Sequence, residues 1–176
     1  MHLAALIAAL SAARLVTLET EARAREIATR ESALLTGRDG AVLLLNFLGE
    51  RIPGHISHDF AFWNETPDVV SEFAAGITDA PLALELLTMD GHEQRMQVRA
   101  TVRGEGRERW IEVDGSVGGL DAFAGWLNQI LGEVEADVRV YALETNELDW
   151  HVFVIRTPEE VAGLSALGQI RPLRNE

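Results

Sequence analysis

Between Leu82 and Val113 apolar and polar residues alternate with a period of two, interrupted only at two short turns, and this pattern constrains the fold more than any other feature. Leu82, Leu84 and Leu86 fall on one side of a first strand. Asp90-Gly91 supplies hairpin-turn chemistry, after which Met96, Val98, Ala100 and Val102 face inward while Arg95, Gln97, Arg99, Thr101 and Arg103 face outward. Gly104-Glu105-Gly106 turns the chain again into Arg109 to Val113, with Ile111 and Val113 on the inner side. Successive side chains of a strand point to opposite faces, so the pattern predicts a three-stranded antiparallel meander with one dry and one wet face. The dry face needs a cover. The next segment supplies one: Leu120, Phe123, Ala124, Leu127, Ile130, Leu131 and Val134 recur at steps of three and four, a single apolar stripe along a helix.

Further on, Val138 to Leu143 and Trp150 to Ile155 flank a turn at 144–149. Val138, Val140 and Ala142 lie on one face of the first of these strands and Tyr141 and Leu143 on the other. Two apolar faces predict a hairpin inside a sheet or beneath a second layer. Thr157-Pro158-Glu159-Glu160 is a capping box with proline at the first helical position, opening a last helix through about Leu167. Upstream, Thr66-Pro67-Asp68 opens a helix that Gly76 closes.

The N-terminal third is less regular. Glu19 to Leu35 reads as a helix stopped by Gly37. The run Val42 to Leu45, between Gly40 and Gly49, is short enough for a buried strand or a buried helix, and a strand is the expectation. MHLAALIAALSAARL has no basic residue before its apolar run and is too short to cross a bilayer, which predicts a retained, docked helix in a cytoplasmic protein rather than a secretory signal. The fold class is therefore α+β with a mainly antiparallel sheet, in the order helix, three strands, helix, two strands, helix. Residues 1–65 form a packed helical extension with a possible strand and residues 66–176 the α+β domain, the two making one structural unit.

Composition removes several function classes. The 176 residues hold no cysteine, which excludes disulfides, thiolate nucleophiles and cysteine-ligated metal sites. They hold no lysine either, so a P-loop lysine and a Schiff-base lysine are absent; with every basic residue an arginine, the bias matches a GC-rich genome and is not itself a sign of phosphate binding. Residues 41–176 carry all of the net charge of −13. Such a surface repels nucleic-acid phosphates and anionic lipids, so the expected partner is a protein or peptide of basic character, not nucleic acid or membrane. No G-x-S-x-G, H-E-x-x-H, G-x-G-x-x-G or P-loop motif occurs, and catalysis has no motif to support it.

Two places carry candidate site residues. His55 and His58 are three apart with Asp59 following, a spacing able to hold a divalent metal if the segment is helical, with His92, Asp114 or His151 available as further ligands. The His-Asp pair is similar to the signature of HD-type metal phosphohydrolases, but that family is helical throughout and the β-rich body excludes it. If Ser57 caps a short turn, Asp59 is explained by the helix dipole alone. The second place is the wet face of the meander, where Arg95, Arg99 and Arg103 surround Trp110. An aromatic among arginines can grip an extended peptide; alternatively Glu85, Glu108 and Glu112 neutralise the arginines across strands and the N-terminal elements cover Trp110.

The element order from Thr66 on, together with small size and acidity, resembles the type III secretion chaperone fold shared by the YbjN-like family of small acidic bacterial proteins. The resemblance covers roughly residues 66–168 and implies a homodimeric module that holds extended segments of partner proteins. It carries no residue motif and assigns no functional residue. The expected function is thus a cytoplasmic protein-binding or chaperone-like module without catalytic activity or cofactor. Two alternatives stand beside it: a metal-dependent hydrolase built on His55, His58 and Asp59, and an immunity-type inhibitor of a basic protein.

Overall fold

The structure, a computed structural model, describes residues 3–49, 54–59, 67–90, 95–114, 118–146 and 150–173. Its elements in chain order are α1 (Leu3–Ala12), α2 (Leu18–Arg30), α3 (Gly40–Leu48), β1 (His55–Asp59), α4 (Pro67–Gly76), β2 (Leu82–Asp90), β3 (Arg95–Val102), β4 (Glu108–Asp114), α5 (Gly119–Glu133), β5 (Arg139–Leu143), β6 (Trp150–Arg156), α6 (Pro158–Ala166) and β7 (Ile170–Arg171). The class is α+β. The strands form two antiparallel sheets: β2-β3-β4, the meander, and a four-stranded sheet in the order β1-β6-β5-β7.

The four-stranded sheet divides two hydrophobic cores. On one side Ile56, Val140, Ala142, Phe153 and Ile155 pack with α4, α5 and the inner face of the meander, represented by Met96, Val98, Ala100 and Val102. Phe73 of α4 meets Phe123 of α5 edge-on, centroids 5.0 Å apart, and Phe153 at 5.6 Å. Each buried ring contributes about 2–3 kcal/mol by leaving water. On the other side Leu143, Val152 and Val154 meet α1, α2, α3 and α6. The apolar character of both faces of β5 and β6 is thereby explained: two layers cover them.

Local signals set most boundaries. Thr17 and Thr20 form a capping box for α2, and Thr157 and Glu160 one for α6, with Pro158 at its first turn. The helix expected through Leu35 ends earlier: Glu31 closes α2 with its N–H on the Ile27 carbonyl, and Leu35 is buried from the turn that follows. The run at 42–45 is a helix, not a strand. Gly49 at φ 64° closes α3 with its N–H on the Leu45 carbonyl, a left-handed stop that glycine adopts without strain. The side-chain amide of buried Gln169 receives the Ala41 N–H at 2.6 Å, satisfying a free donor in the first turn of α3 from the far end of the chain.

Residues 1–65 are not a separable extension, because β1 belongs to them and forms the edge of the four-stranded sheet beside β6. The turn from α1 into α2 is fastened to that sheet by Arg156 of β6, whose guanidinium donates to the carbonyls of Ala13 at 2.6 Å and Arg14 at 3.4 Å. Arg14 itself sits at φ 53°, the left-handed conformation of this tight turn. No helix among the described residues is long and apolar enough to cross a membrane.

Candidate functional site

The outer face of the meander is set by register. Across the three strands Glu85 stands beside Arg99 and Arg99 beside Trp110; Thr88, Gln97 and Glu112 form the next row; Asp90 and Arg95 lie at the end. Arg99, on the central strand, is the organising residue. Its Nε donates to Glu85 at 3.2 Å, its Nη2 also contacts Glu85, and its Nη1 reaches Glu108 at 3.3 Å. These hydrogen bonds, Glu85 foremost, hold its pKa above the ordinary arginine value. Its guanidinium carbon lies 5.5 Å from the centroid of the Trp110 ring, in cation–π range. Arg95 approaches Glu112 at 3.6 Å, and Gln97 donates to the same carboxylate at 3.4 Å.

Two of the expected arginines therefore lie on this face, and acids engage both. Arg103 does not join them: it follows the end of β3, in the turn toward β4, where its N–H binds the Pro81 carbonyl. Strand alternation past Val102 failed because the chain had already begun to turn at Gly104. The N-terminal helices pack on the far side of the other sheet, and Trp110 remains 56% exposed. With Glu85, Asp90, Glu108 and Glu112 against Arg95 and Arg99, the face is net acidic around an accessible indole.

The histidine segment is a strand rather than a capped turn. In β1 positions three apart fall on opposite faces, so the helical arrangement that would bring His55 and His58 together does not exist. Ser57 caps nothing; its hydroxyl receives the Trp150 indole N–H at 2.9 Å. His55 borders a cavity of about 110 Å³ between α3 and the sheet, alongside Val42, Leu45 and Ser57. Burial, reinforced by the charge of Arg156, lowers its pKa to about 4, so the ring is neutral at neutral pH. In register His58 stands opposite His151 and Asp59 opposite Trp150. The side chains of His58, Asp59 and Asp114, and the whole of His92, lie outside the described residues. Among the described residues no group of three histidine or acidic side chains could hold a metal ion.

Sequence reasoning missed a buried charged cluster. Asp121, in the first turn of α5, is wholly buried and accepts two hydrogen bonds from Arg171 of β7, at 2.6 and 2.9 Å; His151 Nδ1 lies 3.9 Å from the same carboxylate. The pairing is bidentate, and it sits at the N-terminal, positive end of α5. This clamp ties the C-terminal strand to α5. A signal was present: Asp121 and Asn128 occupy the buried side of the helix with Ala124, and Asn128 latches the backbone of Val140 in both directions, at 2.7 and 2.8 Å. Polar residues within an apolar stripe point to specific buried partners.

No family model, no curated protein and no solved structure matches this chain.

Proposed function

We propose that the protein is a binding module that takes a basic segment of a partner protein on the outer face of β2-β3-β4, with Trp110 as its apolar anchor. The observation that supports this reading is the combination of a sheet face that no element among the described residues covers, a tryptophan more than half exposed, and carboxylates in excess of arginines that are already engaged. An arginine or lysine of the partner would stack on the open side of the indole and find Glu108 and Glu112 in neighbouring rows. An acidic peptide, by contrast, would have to displace internal ion pairs.

In this reading the protein works in the cytoplasm as a chaperone-like holder of its partner, where absence of cysteine makes it indifferent to the reducing environment. The homodimer implied by the resemblance to secretion chaperones would use another surface, since two copies of an acidic face repel. Inhibition of a basic folded protein is the second form of the same chemistry, and the partner's own structure at the contact separates the two.

The test is site-specific photo-crosslinking in the producing cells, with p-benzoylphenylalanine in place of Trp110 and, as control, at exposed Ala122 of α5. The expected result is an adduct at position 110 alone, mapping to a lysine- or arginine-rich segment. Retention of that partner should fall at least about tenfold in Trp110→Ala and between low and high salt. Identical adducts at both positions, or retention unaffected by Trp110→Ala, would sink the reading.

A further inference from the structure

In β4 the residues that carry the acidic surface also turn their backbone to a free sheet edge. The Val102 N–H donates to the Arg107 carbonyl at 2.9 Å. Antiparallel bonding alternates along a strand, so in the register that sets Thr101 against Glu108 the odd-numbered residues of β4 bond to β3. Glu108, Trp110 and Glu112 therefore direct their N–H and C=O groups away from β3, and no strand among the described residues borders that edge. The side chains of the same three residues stand on the wet face, an acid on either side of the half-exposed indole. On the other face Ile111 is only partly buried against the core, and Arg109 is drawn to Glu133 of α5 at 3.0 Å. An edge seven residues long, without proline and regular in register, is a template for a further strand.

We infer that an extended segment of the partner adds to β4 as a fourth, antiparallel strand of the meander, with cationic side chains at alternate positions beside Glu108, Trp110 and Glu112 and uncharged ones between them. The inference rests on the binding of a basic segment proposed above and adds how that segment is held: its amides pair with the edge, and the strand fixes the spacing of its charges. Directly opposed residues at hydrogen-bonded positions lie about 5.5 Å apart, close enough for an arginine to cover the indole and for its neighbours two positions away to meet the carboxylates. Glu108 and Glu112 already engage Arg99 and Arg95, and an ionised carboxylate has lone pairs for further donors. A second copy of this chain fits the edge poorly. Pairing β4 with itself about Trp110 sets Glu108 opposite Glu112, about Ile111 it sets Glu108 opposite Asp114, and about Arg109 it sets that arginine opposite itself. Like charges directly opposed destabilise a strand pair, whereas alternating cations meet their complement at each row.

The experiment measures binding of labelled synthetic peptides to the full chain by fluorescence anisotropy. One peptide alternates lysine, arginine and lysine with valines, and a second has the same composition with its cations contiguous. Two further versions of the alternating peptide carry backbone N-methyl groups, either on the cationic residues, whose amides face β4 in the added strand, or on the valines, whose amides face away. The alternating peptide should bind at least about tenfold more tightly than the contiguous one, and methylating the cationic residues should weaken it by about tenfold or more while methylating the valines changes little. Trp110→Ala and Glu112→Gln should each weaken it as well. Equal binding of the alternating and contiguous peptides, or equal loss from the two methylation patterns, overturns strand addition; if Trp110→Ala still abolishes that binding, the reading of the face as a site for basic segments stands without it. If none of the peptides binds, both are overturned.

Discussion

Asp121 shows what one buried charge does in this protein. Its carboxylate is fully enclosed and Arg171 nearly so, and neither has bulk water to fall back on if the other is removed. Asp121→Ala should cost about 3–5 kcal/mol in urea unfolding, because it leaves a guanidinium buried without its countercharge. Adding Arg171→Met should recover part of that loss. His55 sets a pH dependence of known sign. Its folded pKa, about 4, lies below the unfolded 6.5, so the unfolded chain takes up the proton first. The stability this ring contributes is complete above pH 6.5 and is lost as pH falls from 6.5 through 4. Partial exposure and solvent screening reduce the full shift to about 2 kcal/mol. The wild-type minus His55→Gln difference in unfolding free energy should fall as pH drops across that window, the carboxylate titrations common to both cancelling; a difference that stays flat would show that His55 is not the responsible group.

At the scale of elements, contact between α4 and the four-stranded sheet depends on a missing side chain. Gly76 ends α4 against Ile155 of β6, and an added Cβ would overlap that residue's Cδ1. Gly76→Ala should therefore destabilise by about 1–3 kcal/mol despite alanine's better helix propensity. Ile155→Val removes the clashing methyl, so the double variant should lose less than the two singles combined in a double-mutant cycle. The meander behaves oppositely. Among the described residues no layer lies above its outer face, and Trp110→Ala should change stability by no more than about 0.5 kcal/mol while abolishing partner retention. That separation of stability from binding is what a functional surface residue produces and a covered one does not.

For the whole molecule, the division of the chain at residue 65 does not correspond to a division of the structure. Val152, Val154 and Leu143 are fully buried under helices from the first 48 residues. A chain lacking residues 1–49 should expose that face and aggregate or fail to show a cooperative unfolding transition by calorimetry. A soluble, cooperatively unfolding fragment would contradict the two-core architecture. The meander, the amphipathic α5, the two-faced β5 and β6 and the capped start of α6 were legible in the sequence, whereas the Thr17/Thr20 capping box of α2 was not read from it. Each rests on local rules, period two or 3.6 and capping chemistry, that operate within about fifteen residues. What the sequence left open was decided by distant partners. The apolar run at 42–45 became a helix because α1, α2 and the sheet enclose it and Gln169 completes its first turn. The histidine segment became a strand because β6 offered it an edge, which dissolved the helical His55/His58 arrangement. The Asp121 clamp and the Arg156 staple join residues 50 and about 140 positions apart, and no periodicity records such pairings. Local pattern determined which segments are regular and which side of each is apolar; only tertiary packing decided what each side faces, because burial and charge pairing are properties of residues brought together from across the chain.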